Sequence, residues 1–352
     1  MSITAKLAQL AEFDEVIDVR TPSEFAEDHV PEAVNRPVLD DAERARVGAL
    51  YKQVSAFTGR KAGAALVSRN IAGHVETSFM DKAKSWRPLV YCWRGGKRSE
   101  AMVHILREIG WDAQRLEGGY KAYRRTVVAE LPQLAQRFSL RVVCGLTGSG
   151  KSRLLQTLST LGAQVLDLEK LAAHRGSVLG NLPDQPQPSQ KMFESRIWWR
   201  LRSFETNAPV FVESESKRIG TLQVPDDLMV AMWGSECVRV DTDIATRVQL
   251  LMQHYPHFVA DPADLGRQLD RLVQLHGRVA IDRWKALAQR GDWHTLVREL
   301  LEHHYDPAYT RSIATHYPRL AQARSVEIAA NDDTSFANAA RGLIAKAAQV
   351  TV

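Results

Sequence analysis

The sequence predicts two α/β domains, each built on a parallel sheet with helices on both faces. Its 352 residues suit about two domains, at roughly 100–200 residues each. Short apolar runs that end in turn residues alternate with segments of helical periodicity, as in a parallel sheet with crossover helices. The alternation pauses around Pro132 and then resumes. We therefore expect a first domain over 1–128, a linker over 129–138, and a second domain over 139–352 with a helical C-terminal part.

In the first domain, apolar runs predict the strands, and turn residues mark where each strand ends. Strands are expected at residues 16–19, 88–92 and 113–116. Helices are expected after Pro22, in parts of 42–85, and from the turn that follows Cys92 to Gly110.

The second domain continues the same alternation. Strands are expected at residues 140–144, 164–167, 210–213 and 238–241. Residues 182–189 contain three prolines in polar surroundings, which is typical of a loop. Residues 263–301 have a mostly helical pattern and predict a lid or bundle on the second sheet.

Composition and charge exclude several classes of protein. Charged residues make up 25% and hydrophobic residues 45%, as in ordinary globular chains, and no apolar run is long enough to span a membrane. The cysteines are few and widely spaced, and the first residues lack a secretory signal pattern. We therefore expect a cytoplasmic protein with no membrane partner. The net charge of +5 favours an anionic partner, either a phosphate metabolite or nucleic acid.

A phosphate-binding loop is the most specific motif. Residues 145–152 match G-x-x-x-x-G-K-[ST], and they lie between a β-branched strand and a helix with leucines on one face. The backbone N–H groups of such a loop surround an anion. The predicted phosphate-binding residues are Gly145, Thr147, Gly148, Ser149, Gly150, Lys151 and Ser152. Lys151 would contact terminal phosphate oxygens, and Ser152 would hold Mg²⁺ if that ion is bound.

The motif does not identify the phosphate compound. An enzyme that uses a nucleoside triphosphate usually places an acid on a later strand for the metal. Asp167, Glu213 and Asp241 all lie at strand ends and compete for this role. The sequence does not choose among them.

A second candidate site surrounds Cys92, which ends a strand before a glycine-rich turn and a helix. Loop N–H groups and the helix N-terminus favour the thiolate over the thiol and make the sulfur a nucleophile. The predicted anion-binding residues of this loop are Arg94, Gly95, Gly96, Lys97 and Arg98. Cys144 and Cys237 have no such surroundings and are expected to be inert core thiols.

These residues resemble a known family. Residues 18–25 and 29–35 resemble the first signature of rhodanese domains, 92–99 their active-site loop, and 116–120 their closing strand and turn. The loop at Cys92 is one residue longer than the common rhodanese pattern, which suits a bulkier anion. A rhodanese domain fused to a phosphate-loop domain resembles the bacterial tRNA 2-selenouridine synthases over essentially the whole chain. The second-domain residues that match this family's motifs are Asp167, Glu169, His174, Arg175, Ser177 and Glu213.

The resemblance implies a two-step exchange at the wobble 2-thiouridine of certain tRNAs. The sulfur is first alkylated by geranyl diphosphate and is then replaced by selenium from selenophosphate. Cys92 would serve the selenium donor, and the phosphate loop would hold the diphosphate. The implied partners are tRNA and an enzyme that supplies selenophosphate. No tightly bound cofactor is expected, and Mg²⁺ is an optional ion.

Two other functions remain open from the residues alone. One is a kinase or sulfurtransferase that depends on a nucleoside triphosphate and acts on a small molecule. The other is a regulatory module that binds phosphate ligands without turnover, although the cationic loop at Cys92 argues against it.

A helix over residues 193–202 is a candidate tRNA contact. Its apolar stripe is expected to contain Phe193, Ile197, Leu201 and Phe204. Arg196, Trp199 and Arg202 lie off this stripe, and arginine with an aromatic ring can stack on unpaired bases. A solvated basic face explains the same pattern equally well.

Overall fold

The computed structural model of the protein describes residues 3–177, 179–183 and 185–348. The chain divides into two compact units, each with its own parallel sheet. The first unit comprises Met1–Leu131 together with Ser189–Trp199, and the second comprises Pro132–Pro188 together with Arg200–Val352. In the described part of the chain, no helix combines the length and hydropathy that crossing a membrane requires.

The first unit is built on a five-stranded parallel sheet with the strand order β1-β5-β4-β2-β3. Its strands are β1 (Thr4–Ala5), β2 (Glu15–Asp18), β3 (Val34–Asn35), β4 (Pro88–Tyr91) and β5 (Gln114–Leu116). Its helices are α1 (Pro22–Glu27), α2 (Asp41–Gln53), α3 (Ala56–His74), α4 (Lys97–Ile109) and α5 (Gly119–Ala135). All four residues of β4 are buried, as expected of a central parallel strand.

Local sequence explains where the first helices begin. Thr21 caps α1 by accepting a hydrogen bond from the Glu24 N–H, the Glu24 carboxylate accepts one from the Thr21 N–H, and Pro22 occupies the first turn. Asp40 and Glu43 form the same reciprocal cap on α2. These caps fix the loops at the carboxyl edge of the sheet, where β2 and β3 end.

The second unit is built on a parallel sheet with the order β12-β11-β6-β8-β7. Its strands are β6 (Leu140–Cys144), β7 (Gln164–Leu166), β8 (Val210–Glu213), the antiparallel pair β9 (Arg218–Ile219) and β10 (Leu222–Gln223), β11 (Glu236–Asp241) and β12 (Arg324–Glu327). The edge strand β12 was not expected, because its residues are mostly exposed and lack an apolar run.

Helices cover this sheet and extend beyond it. They are α6 (Lys151–Thr160), α7 (Leu168–Ala172), α9 (Asp226–Trp233), α10 (Ile244–His254), α11 (Pro256–Ala260), α12 (Pro262–Leu269), α13 (Val273–Gln289), α14 (Trp293–Leu300), α15 (Asp306–His316) and α16 (Asp333–Ala348). Helix α8 (Gln190–Arg202) belongs to the first unit as far as Trp199. The expected helical region over 263–301 corresponds to α12, α13 and α14. It has an apolar core of its own, which includes Leu269, Ile281, Trp284 and Leu296.

The two units do not follow sequence order strictly. Helix α5 runs to Ala135 and contains Pro132, so most of the segment expected as a linker over 129–138 is helical. The segment Ser189–Trp199, expected in the second domain, packs in the first unit. There Trp198 is fully buried against Tyr123, at 5.6 Å between ring centroids, and its indole N–H donates to Glu130. Burying this large ring explains the placement.

Candidate functional site

Cys92 lies directly after β4, where the chain turns into α4. Its Sγ atom accepts hydrogen bonds from the Gly96 N–H, at 3.2 Å, and from the Ser99 hydroxyl, at 3.3 Å. The residue is buried, with 4% of its surface exposed. Because Gly96 caps the N-terminus of α4, the sulfur lies at the positive end of a 13-residue helix. Two hydrogen-bond donors and a helix N-terminus therefore face this sulfur.

The cations expected around Cys92 are partly engaged elsewhere. Arg98 forms an ion pair with Glu24 at 2.7 Å, and Lys97, which is almost fully exposed, pairs with Glu100 at 3.1 Å. Burial acts to raise the pKa of Glu24, but Arg98 outweighs it and the net shift is downward. Arg94 is exposed. The donors that reach the sulfur thus come from the loop backbone and Ser99, while Arg94 and Lys97 lie exposed at the rim of the loop.

A glycine turn determines the shape of the cysteine loop. A Cβ atom on Gly119, which has φ +57°, would lie 2.3 Å from the Cys92 carbonyl oxygen and 2.5 Å from the Gly95 nitrogen. The Tyr120 N–H donates to the same carbonyl at 2.9 Å. The turn therefore holds the cysteine loop closely, and only glycine fits at position 119.

Behind this turn lies a buried polar network. Arg20, 1% exposed, pairs with Asp18 and places its guanidinium 4.0 Å from the centroid of the Tyr120 ring. The Tyr120 hydroxyl donates to Asp28 at 2.9 Å. Burial raises the pKa of Asp28, with hydrogen bonding to Tyr120 acting in the opposite direction. This network ties the first rhodanese-like signature to the cysteine loop.

The phosphate loop connects β6 to α6. Gly148 has φ +77°, and a Cβ atom there would lie 2.8 Å from Leu251, so the position requires glycine. The Lys151 ammonium donates to the Gly145 carbonyl at 2.7 Å. Burial lowers the pKa of Lys151, with nearby carboxylates acting in the opposite direction. The Ser149 hydroxyl is buried and has no hydrogen-bond partner among the described residues, so the loop retains a donor for an anion.

A cavity of about 1230 Å³ surrounds this loop in the second unit. It brings together most of the predicted second-domain residues. Its lining includes Thr147, Gly148, Ser149, Gly150, Lys151, Ser152, Asp167, Glu169, Arg175 and Ser177. The cavity therefore combines a phosphate loop, two lysines, three arginines and three carboxyl groups.

Among the strand-end acids, Glu213 is the one linked to the phosphate loop. The Ser152 hydroxyl donates to Glu169 at 2.7 Å, and the Glu169 N–H donates to Glu213 at 2.8 Å. Asp167 instead caps α7 by accepting from the Lys170 N–H. Asp241 pairs with neighbouring side chains on β11 and β12. Hydroxyl and carboxylate oxygens suit Mg²⁺, so Ser152 and Glu169 fit that ion.

Burial changes the protonation of these acids. It raises the pKa of Glu169 and, more strongly, that of Glu213. Burial and then the neighbouring Glu169 carboxylate raise the pKa of Glu215 to about 8. Glu215 is therefore mainly a neutral acid at pH 7.

His174 differs from its neighbours in the predicted set. It is buried, and its Nδ1 atom accepts a hydrogen bond from the Gly176 N–H at 3.1 Å. Arg175 and Ser177 line the cavity, with Gly176 between them. Burial lowers the pKa of His174. Its imidazole thus shapes the turn that presents Arg175 and Ser177.

Sequence reasoning did not single out several cavity residues. The Gly145 N–H donates to the hydroxyl of Tyr309, at 2.7 Å, although the two residues are 164 positions apart. No local pattern links them. Tyr255 is another such residue, with the Arg175 guanidinium 4.6 Å from its ring centroid. Glu215 could have been found, since it lies two residues after Glu213 in the same acidic motif.

The predicted tRNA contact is less exposed than its sequence pattern suggests. Phe193, Ile197 and Leu201 are fully buried, as expected, and Phe204 is partly buried. Arg196 and Trp199 are each only partly exposed, and the Trp199 indole N–H donates to Glu32 at 3.4 Å. Arg202 is exposed. The sequence pattern correctly predicted the apolar face of α8. It did not predict that Arg196 and Trp199, on the other side of the helix, are also partly buried.

Comparison with known proteins finds a family model for each of the two domains. A model of the rhodanese-like domain matches residues 4–126, and a model described as the tRNA 2-selenouridine synthase AAA domain matches residues 138–264. Among solved structures, the N-terminal domain of an ATP/GTP binding protein from Clostridium difficile covers 36% of this chain and 98% of its own. Its sequence identity to this chain is 33%, and its TM-score is 0.32.

Three relatives named tRNA 2-selenouridine synthase illustrate the similarity. The Nitrosomonas europaea protein is 39% identical over 68% of this chain, and the match spans 63% of that relative's length. The Pseudomonas fluorescens protein is 33% identical over 84% of this chain and 87% of its own length. The Aeromonas salmonicida protein is 32% identical over 91% of this chain and 93% of its own length. By its sequence and its pair of domains, this chain belongs to the tRNA 2-selenouridine synthase family.

Proposed function

We propose that this protein replaces sulfur by selenium in the 2-thiouridine at the wobble position of tRNA. Membership of the family supports the overall reaction, because every relative described above carries that name. The net charge of +5 is consistent with an RNA substrate. We expect Arg196, Trp199 and Arg202 to contribute to tRNA binding, with Arg202 the most accessible of the three.

The first step is alkylation of the sulfur by geranyl diphosphate. A C–S bond forms, the C–O bond to the diphosphate breaks, and the uridine N3 proton is released. The phosphate loop holds the departing diphosphate through its backbone N–H groups, Lys151 and the Ser149 hydroxyl. Alkylation converts the sulfur into a good leaving group.

The second step introduces selenium from selenophosphate. A C–Se bond forms at C2 of the base, the C–S bond breaks, and geranylthiol departs, while the P–Se bond of the donor is hydrolysed to phosphate. The loop that begins at Cys92 receives this donor, with Arg94 and Lys97 as cations at its rim. The Cys92 thiolate attacks the phosphorus atom, so that an S–P bond forms, the P–Se bond breaks and selenide is released to attack C2; water then hydrolyses the S–P bond to phosphate and restores the thiol.

The observation that carries this proposal is the setting of Cys92. Its sulfur accepts hydrogen bonds from Gly96 and Ser99 at a helix N-terminus, in a chain that also matches the AAA domain of the tRNA 2-selenouridine synthases. A purely structural thiol does not require two donors and a glycine-rich loop.

The test is to incubate the protein with tRNA containing 2-thiouridine, geranyl diphosphate and selenophosphate, and to identify the nucleosides by mass spectrometry. The proposal predicts S-geranyl-2-thiouridine followed by 2-selenouridine. If neither nucleoside forms with folded protein, the proposal is wrong.

An NTP-dependent kinase or sulfurtransferase acting on a small molecule is the second candidate. The hydrogen bonds from Ser152 to Glu169 and from Glu169 to Glu213 resemble the arrangement that binds Mg²⁺ in nucleotide enzymes. Rapid hydrolysis of a nucleoside triphosphate in the absence of RNA would favour this alternative.

A further inference from the structure

A pair of helices in the first unit, α2 and α3, carries a concentration of positive charge. From residue 44 to residue 75 the sequence contains six lysines and arginines and no aspartate or glutamate. At the average composition of this chain, 32 residues would include about four acids. Without this segment the net charge of the chain would be −1 instead of +5. The six residues, called here the hairpin cations, are Arg44, Arg46, Lys52, Arg60, Lys61 and Arg69.

The hairpin cations have no carboxylate partner. All six residues are exposed, and none of them takes part in the salt bridges of the described part of the chain. Arg60 donates to the Ala56 carbonyl of its own helix at 3.3 Å, and the Lys61 ammonium lies 4.9 Å from the centroid of the Phe57 ring. Solvated helix surfaces usually mix both signs of charge. Cations of one sign repel each other, so this surface favours a polyanion.

The hairpin is fixed at one end and exposed at the other. Asn70 donates to the Val38 carbonyl, at 3.1 Å, and to Glu43, at 2.7 Å, which holds the base of the hairpin. Near that base Ile71 packs into the apolar core of the first unit, whereas no residue of α2 is buried. At the turn between the helices, Val54 is 64% exposed. The hairpin is therefore an arm whose cations are accessible.

The base of this arm contacts the elements that hold the cysteine loop. Asp41, in the first turn of α2, accepts a hydrogen bond from the Ser23 hydroxyl of α1. The next residue of α1, Glu24, pairs with Arg98 at 2.7 Å, in the first turn of the helix that follows Cys92. The 19 residues of α3 extend over about 28 Å. A macromolecule that places one group at the cysteine loop can therefore also contact the hairpin.

We propose that the α2–α3 hairpin binds the phosphate backbone of the tRNA substrate, outside the base that reacts. This inference rests on the proposed function and assigns the RNA partner a surface of the first unit. RNA carries one negative charge per nucleotide, and the arginines among the hairpin cations suit phosphate oxygens, which they bind through two N–H groups at once. Phosphate contacts position a nucleic acid but do not read its sequence. The hairpin therefore adds affinity for any tRNA and does not select the wobble base.

An acidic membrane fits this surface less well. Helices that lie on membranes separate a wide apolar face from a basic face, and neither α2 nor α3 shows such a separation. Much of their apolar surface is used between the two helices. A Cβ atom on Gly59 would lie 2.9 Å from the Tyr51 Cα atom, and one on Gly63 would lie 3.3 Å from Val47.

The test measures tRNA affinity of the full-length protein as a function of salt. Fluorescence anisotropy would give Kd for a labelled tRNA transcript without 2-thiouridine, at 50–200 mM KCl. Arg46→Gln/Arg60→Gln/Lys61→Gln keeps good helix-forming residues and removes three charges. At 100 mM KCl it should weaken binding roughly tenfold or more, and it should lower the slope of log Kd against log[KCl] by about two to three.

A matched variant controls for the total charge of the protein. Arg278→Gln/Arg290→Gln/Lys346→Gln removes two arginines and one lysine at exposed positions of the second unit. It should change Kd less than twofold. Circular dichroism verifies that both triple variants are folded. An equal loss of affinity in the two variants, or no loss in the hairpin variant, would overturn the inference.

Two further measurements test the chemistry of the hairpin. Arg46→Lys/Arg60→Lys keeps both charges and should retain the salt slope, whereas a slope as low as that of the glutamine variant would contradict the role of charge. Sedimentation with vesicles that contain phosphatidylserine tests the membrane alternative. If Phe57→Ser abolishes vesicle binding while the hairpin triple variant binds tRNA normally, the membrane is the partner and the inference is wrong.

These outcomes separate the inference from the proposed function. If the hairpin cations control tRNA affinity but no 2-selenouridine forms, the RNA surface stands and the proposed reaction fails. If 2-selenouridine forms while the hairpin triple variant binds tRNA as tightly as the unmodified protein, the reaction stands and the inference is wrong.

Discussion

The Ser99 hydroxyl donates a hydrogen bond to Cys92 Sγ at 3.3 Å, from the first turn of the helix whose N-terminus faces the sulfur. Ser99 is fully buried, so water cannot replace this donor. Its hydroxyl also lies 3.1 Å from the Gly96 carbonyl. The serine thus connects the sulfur to the loop that surrounds it.

Ser99→Ala should slow selenium incorporation roughly tenfold or more. The variant removes one hydrogen bond to a charged group, worth about 1.5–3 kcal/mol. Alkylation of tRNA by geranyl diphosphate should remain unchanged, because Ser99 lies in the first unit and the phosphate loop in the second. The measurements are single-turnover rates of both steps and the rate at which iodoacetamide modifies Cys92. Unchanged selenium incorporation and unchanged thiol reactivity would contradict the role of Ser99.

Cys92→Ala should abolish selenium incorporation and leave geranylation intact. The nucleophilic sulfur is lost, but the phosphate loop is not altered. Cys237→Ala is the matched control, because it removes another buried thiol, 7% exposed, that lies on β11. Mass spectrometry of the nucleosides reports both steps. Loss of geranylation in Cys92→Ala would contradict the division of labour between the two sites.

Lys151→Ala should weaken binding of geranyl diphosphate and of pyrophosphate roughly 10- to 100-fold. It removes a charged donor to phosphate oxygens. Selenium incorporation into tRNA that is already geranylated should persist. Lys346→Ala, at an exposed lysine of α16, serves as the control and should bind both ligands normally. Calorimetric titration measures the affinity of each variant for each of the two ligands. Equal affinities in Lys151→Ala and Lys346→Ala would show that Lys151 does not contribute to the anion site.

The buried carboxyl of Glu215 should make stability depend on pH. Burial, followed by the effect of Glu169, raises its pKa from 4.5 to about 8, so the folded protein binds this proton more tightly than the unfolded chain does. The folded protein therefore holds more protons between these two values, and stability falls as the pH rises through that window. One such group contributes at most about 1.4 kcal/mol per pH unit.

Glu215→Gln should remove this contribution. The free energy of unfolding of the second unit, measured by urea denaturation at pH 5, 6.5 and 8, should fall less steeply than in the unmodified protein. Glu302→Gln, at an exposed carboxyl, should keep the original dependence. Parallel pH profiles for the unmodified protein and Glu215→Gln would show that Glu215 is ionised in the folded state.

The sequence predicted those parts of the structure that local physics determines. The phosphate loop and the loop at Cys92 each follow a buried parallel strand and precede a helix. The spacing of the glycines in the sequence predicts this arrangement of strand, loop and helix. The expected strands of both sheets lie within a residue or two of their observed bounds. The fold class of both domains is therefore confirmed.

Contacts between distant parts of the chain could not be predicted. Tyr309 reaches Gly145 across 164 positions, and no periodicity links the two. The packing of Trp198 against Tyr123 likewise depends on tertiary structure, since a helical pattern shows which face is apolar but not which partner covers it. An apolar cavity of the second unit is lined by residues from several short helices, so no single segment of the sequence predicts it.

The account depends most on the order of the two steps, and leaving out one substrate tests this order directly. The protein would be incubated with 2-thiouridine tRNA and selenophosphate, with and without geranyl diphosphate, and 2-selenouridine would be quantified by mass spectrometry. We predict that 2-selenouridine forms only when geranyl diphosphate is present, after S-geranyl-2-thiouridine has appeared. Equal formation of 2-selenouridine without geranyl diphosphate would contradict the account.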